Sequence, residues 1–224
     1  MLSPSDIKKV EAIQARTHAL MRSIGSRGKQ VRFFGKTFIV KKNVFWLLSA
    51  SPLIRHFRVP KRASVLDLGT GTGLIAIFAA VKGARRVLAV DISPAAVSNA
   101  RLNVNRHKLD SVVEVRRSDM WQHVGNERFD VIVANLPFRD KPASDLVQAS
   151  TFDAGFRAHR LFFSQLTRHL KSNGCAYLSQ ANFGEVDKVR QLAKRYKFTL
   201  RKIAEEKQRR DPRIFYAFLI RAKK

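Results

Sequence analysis

The stretch VIVANLPFRD, residues 131–140, runs from four apolar residues into Asn135, Leu136, Pro137 and Phe138. An apolar run of this kind reads as a strand, and its end carries an amide, a rigid turn and an exposed aromatic ring. That is either a mere strand terminus or the place where a substrate sits. A second chemical stretch lies upstream, at Asp67-Leu68-Gly69-Thr70-Gly71-Thr72-Gly73. Between a strand and a helix, glycines let the backbone turn tightly and approach a ligand closely. The pattern differs from a dinucleotide fingerprint, whose third glycine would fall at position 74, which is leucine. Asp67 also brings a negative charge to a place where a pyrophosphate would need positive potential. Asp91, in AVDIS, and Asp119, in RRSDM, add carboxylates at the ends of two further strand-like runs. Three acids at successive strand ends are poorly explained as surface decoration.

The elements that must position these groups follow from the apolar rhythm. Residues 3–24 place Ile7, Val10, Ile13, Ala19, Leu20 and Ile24 at helical spacing after a Ser/Asp start. QVRFFGKTFIVKKNVFW holds two short β runs that part at Gly35-Lys36, a hairpin signal. Ser49 to Arg62 is a loop or short helix that leads into the core. From residue 64 strands alternate with helices: SVLDLG, LIAIFAAVKG, RVLAVDI, PAAVSNARLNVNRH, SVVEVRRSD, FDVIVANLP, RAHRLFFSQLTRHLK, CAYLSQA and EVDKVRQLAKRY. FTLRKIAE and IFYAFLIRA close the chain around KQRRDPR. The expected fold class is α/β, a Rossmann-like doubly wound sheet of seven strands. It is mostly parallel, with an antiparallel hairpin at its C-terminal edge. The expected organisation is a basic helix-and-hairpin extension over 1–62, followed by a catalytic domain over 63–224.

The glycine loop with its leading acid resembles the first motif of the class I S-adenosylmethionine-dependent methyltransferases. That resemblance implies a cofactor site of Asp67, Gly69, Thr70, Gly71 and Gly73. It also implies Asp91 accepting from the ribose hydroxyls, Ile92 packing on the adenine face, and Asp119 with Met120 at the adenine edge. Asn135 would lie beside the methionine arm. Asn135-Leu136-Pro137-Phe138 is similar to the [N/D/S]-P-P-[F/Y/W] motif of enzymes that methylate planar amino groups: adenine N6, cytosine N4 or a glutamine amide. Such a nitrogen is a poor nucleophile because its lone pair is delocalised, so alignment and charge stabilisation must carry the rate. In this resemblance the Asn135 oxygen and the Leu136 carbonyl accept its two N–H bonds, Pro137 fixes the turn, and Phe138 stacks on a base drawn out of its helix. Leu136 departs from the commonest pattern but keeps the carbonyl. N-[L/I]-P-[F/Y] is the form in ribosomal RNA adenine dimethylases, which tilts the acceptor toward adenine, although their trailing helical domain is not evident here. The organisation of the chain looks like the small-domain methyltransferases, which include release-factor glutamine and ribosomal RNA guanine enzymes. FIVKKNVF before the loop and Asp153-Ala154-Gly155-Phe156 after the catalytic motif carry that likeness, over residues 37–220.

Charge bears on the partner. With 43 Lys and Arg against 17 Asp and Glu, the formal net charge is +26, and the excess lies at the ends. Residues 1–62 hold fourteen basic and two acidic side chains, and residues 194–224 hold twelve and three. A near-neutral centre between basic ends suits a polyanion, most naturally RNA or a ribonucleoprotein. Arg32, Lys36, Lys41 and Lys42 among Phe33, Phe34, Phe45 and Trp46, with Lys207, Arg209, Arg210 and Arg213 near the C-terminus, are the candidate nucleic-acid contacts. Most of those aromatics are expected to pack on the core, and His159 to be a packing or helix-surface residue. The single cysteine, Cys175, reads as a packed strand residue. The six histidines show no ligand spacing, and no metal is assigned. No run of eighteen apolar residues and no secretory start appear, so the expected location is the cytoplasm. The leading expectation is an S-adenosylmethionine-dependent N-methyltransferase of adenine N6 in structured RNA. The alternatives are a protein glutamine, lysine or N-terminal amine methyltransferase, and a non-catalytic RNA-binding protein with a vestigial cofactor site.

Overall fold

The computed structural model describes residues 2–46, 52–209 and 211–223. The elements run α1 (Pro4–Ser23), β1 (Lys29–Phe33), β2 (Lys36–Val40), α2 (Pro52–His56), β3 (Ser64–Leu68), α3 (Leu74–Val81), β4 (Arg86–Asp91), α4 (Pro94–Arg106) and β5 (Val113–Arg117). They continue with β6 (Phe129–Ala134), α5 (Leu146–Ala149), a 3-10 turn at Ala154–Phe156, α6 (Arg157–His169), β7 (Leu170–Ala181), α7 (Val186–Arg195), β8 (Phe198–Lys207) and β9 (Ile214–Ala222). The main sheet has the order β5-β4-β3-β6-β7-β9-β8. Its first five strands are parallel, and β9 runs antiparallel to both β7 and β8.

Every residue of β3 is buried. A strand covered on both faces is mostly apolar, which is why its sequence shows no alternation, and its two polar residues, Ser64 and Asp67, are hydrogen-bonded. Val65, Val131 and Val133 join one apolar layer, while Leu66, Leu68 and Ile132 join the other. β3 lies at the point where the strand order reverses, with β4 to one side and β6 to the other. Sheets of this kind leave a crevice there, beyond the carboxyl ends of the strands.

Local details depart from the expected boundaries. α6 stops at His169 and β7 begins at Leu170, with an irregularity in its pairing to β6 between Phe129 and Val131. Lys207 closes β8 opposite Ile214, so it is a strand residue and not part of the edge loop. Helix α5 and the turn at Ala154–Phe156 had no apolar repeat long enough to announce them. Ser49, Ala50 and Ser51 of the expected lead-in lie outside the described residues, and α2 occupies the next five.

The N-terminal elements dock on the sheet layer through specific bonds. β1 and β2 are joined by Phe34 and Gly35, both at positive φ (46° and 80°), as a two-residue hairpin turn of matching twist requires. Helix α4 then holds β2 by two buried amides. The Asn103 side chain accepts from the Ile39 N–H and donates to the Ile39 and Thr72 carbonyls. Asn99 accepts from the Lys41 N–H and donates to the Ile39 carbonyl. Truncating Asn103 takes a partner from the Ile39 N–H and the Thr72 carbonyl in a buried site, while the Ile39 carbonyl keeps Asn99. Asn103→Ala is therefore expected to lower unfolding free energy by about 2–4 kcal/mol in urea titration.

Candidate functional site

The ends of β3, β4, β5 and β6 converge on a cavity of about 330 Å³, within the size range of small-molecule sites. Its floor is the glycine loop. Gly69 and Thr70 each donate an N–H to the Val90 carbonyl at 2.9 Å, which ties the loop to β4. Asp91, at the end of β4, takes the Gly71 N–H on Oδ2 and the Ser93 N–H on Oδ1, both at 2.9 Å. Each carboxylate oxygen keeps a further lone pair for a ligand hydroxyl. Gly71 and Gly73 both sit at positive φ, and a Cβ on Gly73 would meet Ala100 of α4 at 3.3 Å. Side chains are excluded at both positions by conformation as well as by space.

Asp67 is fully buried under the loop. Its Oδ2 accepts from the Thr70 hydroxyl at 2.6 Å and the Ala76 N–H at 3.1 Å, while Oδ1 has no partner. Burial pushes its pKa up to about 7, assisted by the nearby charge of Asp91 and opposed by the two hydrogen bonds. Burial likewise raises Asp91 above the ordinary carboxylate value. Ile92 is exposed into the cavity, and Met120 adopts a left-handed backbone at its wall.

Asp119 also lines the cavity, but its carboxylate is engaged. Arg157, in the first turn of α6, donates to it from both terminal nitrogens at 3.0 and 2.7 Å. Asp153 caps the same helix by accepting from the Ala158 and His159 N–H groups. It also bonds His159 Nδ1 at 2.9 Å. His159 is completely buried beneath the stacked Phe156 ring and lines neither cavity. Desolvation holds its pKa below the usual histidine value.

Asn135, Leu136 and Pro137 form a wall shared with a second, smaller cavity of about 80 Å³. Asn135 Oδ1 is buried and has no hydrogen-bond partner. Phe138 is half-buried where an exposed ring was expected. It packs against Phe183 and Phe215, ring centres 5.8 and 6.1 Å away, and all three line the smaller cavity. Gln14 and Thr17 of α1 reach the same cavity. Helix α1 is fastened to the chain that follows Phe138. Arg139 donates to Gln14 and Glu11 at 3.0 and 3.1 Å, Lys141 pairs with Glu11, Arg22 with Asp145, and His18 bonds Thr151.

The sequence profile of the methyltransferase small domain matches residues 48–202. The chain belongs to the methyltransferase small domain family. Over 148 residues it is 32% identical to a putative protein N5-glutamine methyltransferase of Methanocaldococcus jannaschii, covering 62% of this chain and 73% of that protein. A 78-residue stretch is 49% identical to the ribosomal protein L11 methyltransferase of Heliobacterium modesticaldum, covering 35% of this chain. The chain spans about a quarter of the length of that relative (24%). In fold it is similar to the crystal structure of the M. jannaschii tRNA m1G37 methyltransferase, at TM-score 0.63 and 17% identity, covering 89% of this chain and 56% of that one.

The family is of the S-adenosylmethionine-dependent class, and the residues present fit that cofactor. The larger cavity has the volume, Asp91 offers free lone pairs at the strand end, and the glycine loop leaves a cradle in which a Cβ on Gly71 would meet the Phe45 carbonyl. Of the candidate nucleic-acid contacts, Arg32, Lys42, Lys207 and Arg209 are exposed and Lys36 is half-buried. Lys41 is half-buried, with its ammonium 3.4 Å from the Ser98 hydroxyl. Arg213 differs: Asp211 grips its guanidinium, which lies over Phe215 beside the smaller cavity. Arg210 lies outside the described residues. Among those described, no His/Cys/Asp/Glu group has a metal-binding arrangement, and no helix is long and apolar enough to cross a membrane.

Phe45 lines both cavities, and Gln14, Thr17, Arg157, Ser179, Phe183 and Phe215 line one or the other. None of these was singled out for the cofactor or acceptor site from the sequence. They lie on six separate elements or loops, and a single sequence carries no signal that links them.

Because the folded pKa of Asp67 exceeds its unfolded value, its contribution to stability is present below about pH 4 and lost as pH rises through about 7. Asp67→Asn keeps an acceptor for Thr70 and Ala76 without the charge. The thermal midpoint of the unliganded variant should fall less than that of the wild type between about pH 5 and about pH 8, followed by circular dichroism. Asp91→Ala should weaken cofactor binding about tenfold to a hundredfold in calorimetry, and an unchanged affinity would remove Asp91 from the cofactor site.

Proposed function

We propose that this methyltransferase transfers a methyl group to the exocyclic amino nitrogen of adenine in structured RNA. The observation that carries the reading is the buried, unpartnered Oδ1 of Asn135, in the wall between the cofactor-sized cavity and the aromatic cavity. An isolated buried carbonyl costs about 1–3 kcal/mol. An amino N–H arriving from the smaller cavity would recover that cost. Asn135 Oδ1 and the Leu136 carbonyl would then accept both N–H bonds and turn the nitrogen lone pair toward the larger cavity. Phe138, Phe183 and Phe215 would offer ring faces to a planar base, and stacking on such rings is worth about 1–3 kcal/mol per base.

On the cofactor side, Asp91 would hold ribose hydroxyls and Ile92 the adenine face. Asp119, partnered by Arg157, would stand at the adenine edge, and the Gly69–Gly73 loop would pass close to the methionine portion. When bound, S-adenosylmethionine supplies an electrophilic methyl on a sulfonium centre. No residue is assigned as general base, because the amino nitrogen becomes acidic as it is methylated and can release its proton to solvent. Segment 1–62 would form the acceptor-binding extension, with Gln14, Thr17 and Phe45 in the smaller cavity. The exposed Arg32, Lys42, Lys207 and Arg209, with Arg210, would meet phosphates, consistent with the +26 charge.

A second reading, methylation of a protein glutamine amide, is favoured by the 32% identity to the M. jannaschii protein named for that reaction. An amide presents the same planar amino group to Asn135. Incubating the enzyme with radiolabelled S-adenosylmethionine and separated RNA, DNA and protein from cells lacking it distinguishes the two. N6-methyladenosine in RNA supports the first reading, and label confined to protein glutamine replaces it with the second. Asn135→Ala should cut turnover by about 10²–10³ or more while calorimetric affinity for the cofactor stays within about threefold. Equal loss of both would count against the role given to Asn135.

A further inference from the structure

We propose that Ser179 reads the acceptor base, its hydroxyl donating a hydrogen bond to the ring nitrogen beside the amino group that Asn135 grips. The proposal rests on the adenine reading above and assigns the second polar contact of that site.

Ser179 lies on β7 and is 1% exposed, and its Oγ has no hydrogen-bond partner. It lines the smaller cavity together with Asn135. The parallel pairing of Ala134 with Leu178 sets the next residues, Asn135 and Ser179, side by side at the strand ends. Across the sheet Ser179 faces Ala217, whose side chain has no polar group to offer. More than nine in ten buried polar groups find a partner, so an orphan hydroxyl next to an orphan carbonyl calls for an explanation.

Most other polar side chains around this cavity already have partners. The Thr17 hydroxyl donates to the Ile13 carbonyl, that of Ser150 to Val147, and that of Thr151 to Gln148. Gln14 Oε1 accepts from Arg139, and Asp211 holds Arg213. Among the described residues that line this cavity, the buried side-chain atoms without a partner are one acceptor, Asn135 Oδ1, and one hydroxyl able to donate, Ser179 Oγ. That pair complements a planar edge on which an amino donor adjoins a ring acceptor. Adenine presents this edge as N6 and N1. The guanine amino group is flanked on one side by an N–H donor instead, which would face the Ser179 hydroxyl less favourably. Cytosine shares the donor–acceptor edge, and the three phenylalanine faces favour the larger purine ring by stacking area.

The test uses full-length wild type, Ser179→Ala and Ser179→Cys, which keeps the shape with a weak donor. The probe is the RNA oligonucleotide that takes label in the preceding experiment, synthesised with adenosine or 1-deazaadenosine at the target. On the adenosine RNA both variants should lose about tenfold to a hundredfold in kcat/KM, with cofactor affinity unchanged. Wild type should lose a similar factor on the 1-deaza RNA, and Ser179→Ala should lose nothing further there. The thermal midpoint of Ser179→Ala should equal or exceed that of wild type, since an unpartnered hydroxyl is removed. Wild-type rates in both variants, or equal losses on the 1-deaza RNA in wild type and Ser179→Ala, overturn the role of Ser179 while adenine methylation stands. Absence of labelled adenine in RNA overturns both.

Discussion

The carboxylate of Asp91 holds the site together. It takes the Gly71 N–H from the glycine loop with one oxygen and the Ser93 N–H with the other. Ser93 is the N-cap of α4, so the same side chain fixes the loop and the start of the helix beside it. Helix α4 then presents Asn99 and Asn103 to β2, and β2 leads to Phe45, whose carbonyl would lie 3.1 Å from a Cβ on Gly71. A strand end, a loop, a helix and the N-terminal hairpin thus close a ring of contacts around one cavity. Neutralising or removing Asp91 disturbs more than a ligand contact, which is why an acid can persist there although burial opposes its charge.

Five buried polar atoms have no partner among the described residues: Asp67 Oδ1, Asn135 Oδ1, His159 Nε2, Ser179 Oγ and Gln180 Nε2. They are not scattered. Asp67 underlies the glycine loop, Asn135 follows β6, Ser179 and Gln180 end β7, and His159 lies in the first turn of α6. Each costs stability in the unliganded protein. The larger apolar layers on either face of the sheet can offset that cost, because the strands between them are buried on both sides. Two of the five, on Asn135 and Ser179, line the smaller cavity, and leaving polar groups unsatisfied at such a place is the usual compromise between stability and function.

How much of this was legible in the sequence depended on whether the signal was local. The unbroken apolar runs of β3, β4 and β6, and the glycine loop after β3, required only period and turn chemistry. They led to the fold class and to Asp67, Asp91 and Asn135 at strand ends. Asp119 was legible as a strand-end acid, but its clasp by Arg157, 38 residues away, was not. Asn99 and Asn103 read as the polar face of a helix because nothing local says that β2 will cover them. Phe138 read as exposed, since its neighbours Phe183 and Phe215 come from a loop after β7 and from β9. Ser179 sits in a strand whose composition announces only packing.

The family match covers the larger cavity almost wholly and the smaller one only in part. Residues 48–202 include the glycine loop, Asp91, Asp119 and Asn135, so nearly all of the larger cavity's wall belongs to the shared domain. The smaller cavity takes Gln14, Thr17 and Phe45 from before that span and Arg213 and Phe215 from after it. Those flanking segments are also the most basic parts of the chain. A shared domain can thus carry the fold and the larger cavity, while segments outside it complete the smaller one. Relatives named for ribosomal protein L11, a protein glutamine and a tRNA guanine can resemble the same core, because none of those names is written in it. Exchanging the flanking segments, rather than altering the glycine loop, is the change to which acceptor choice should respond.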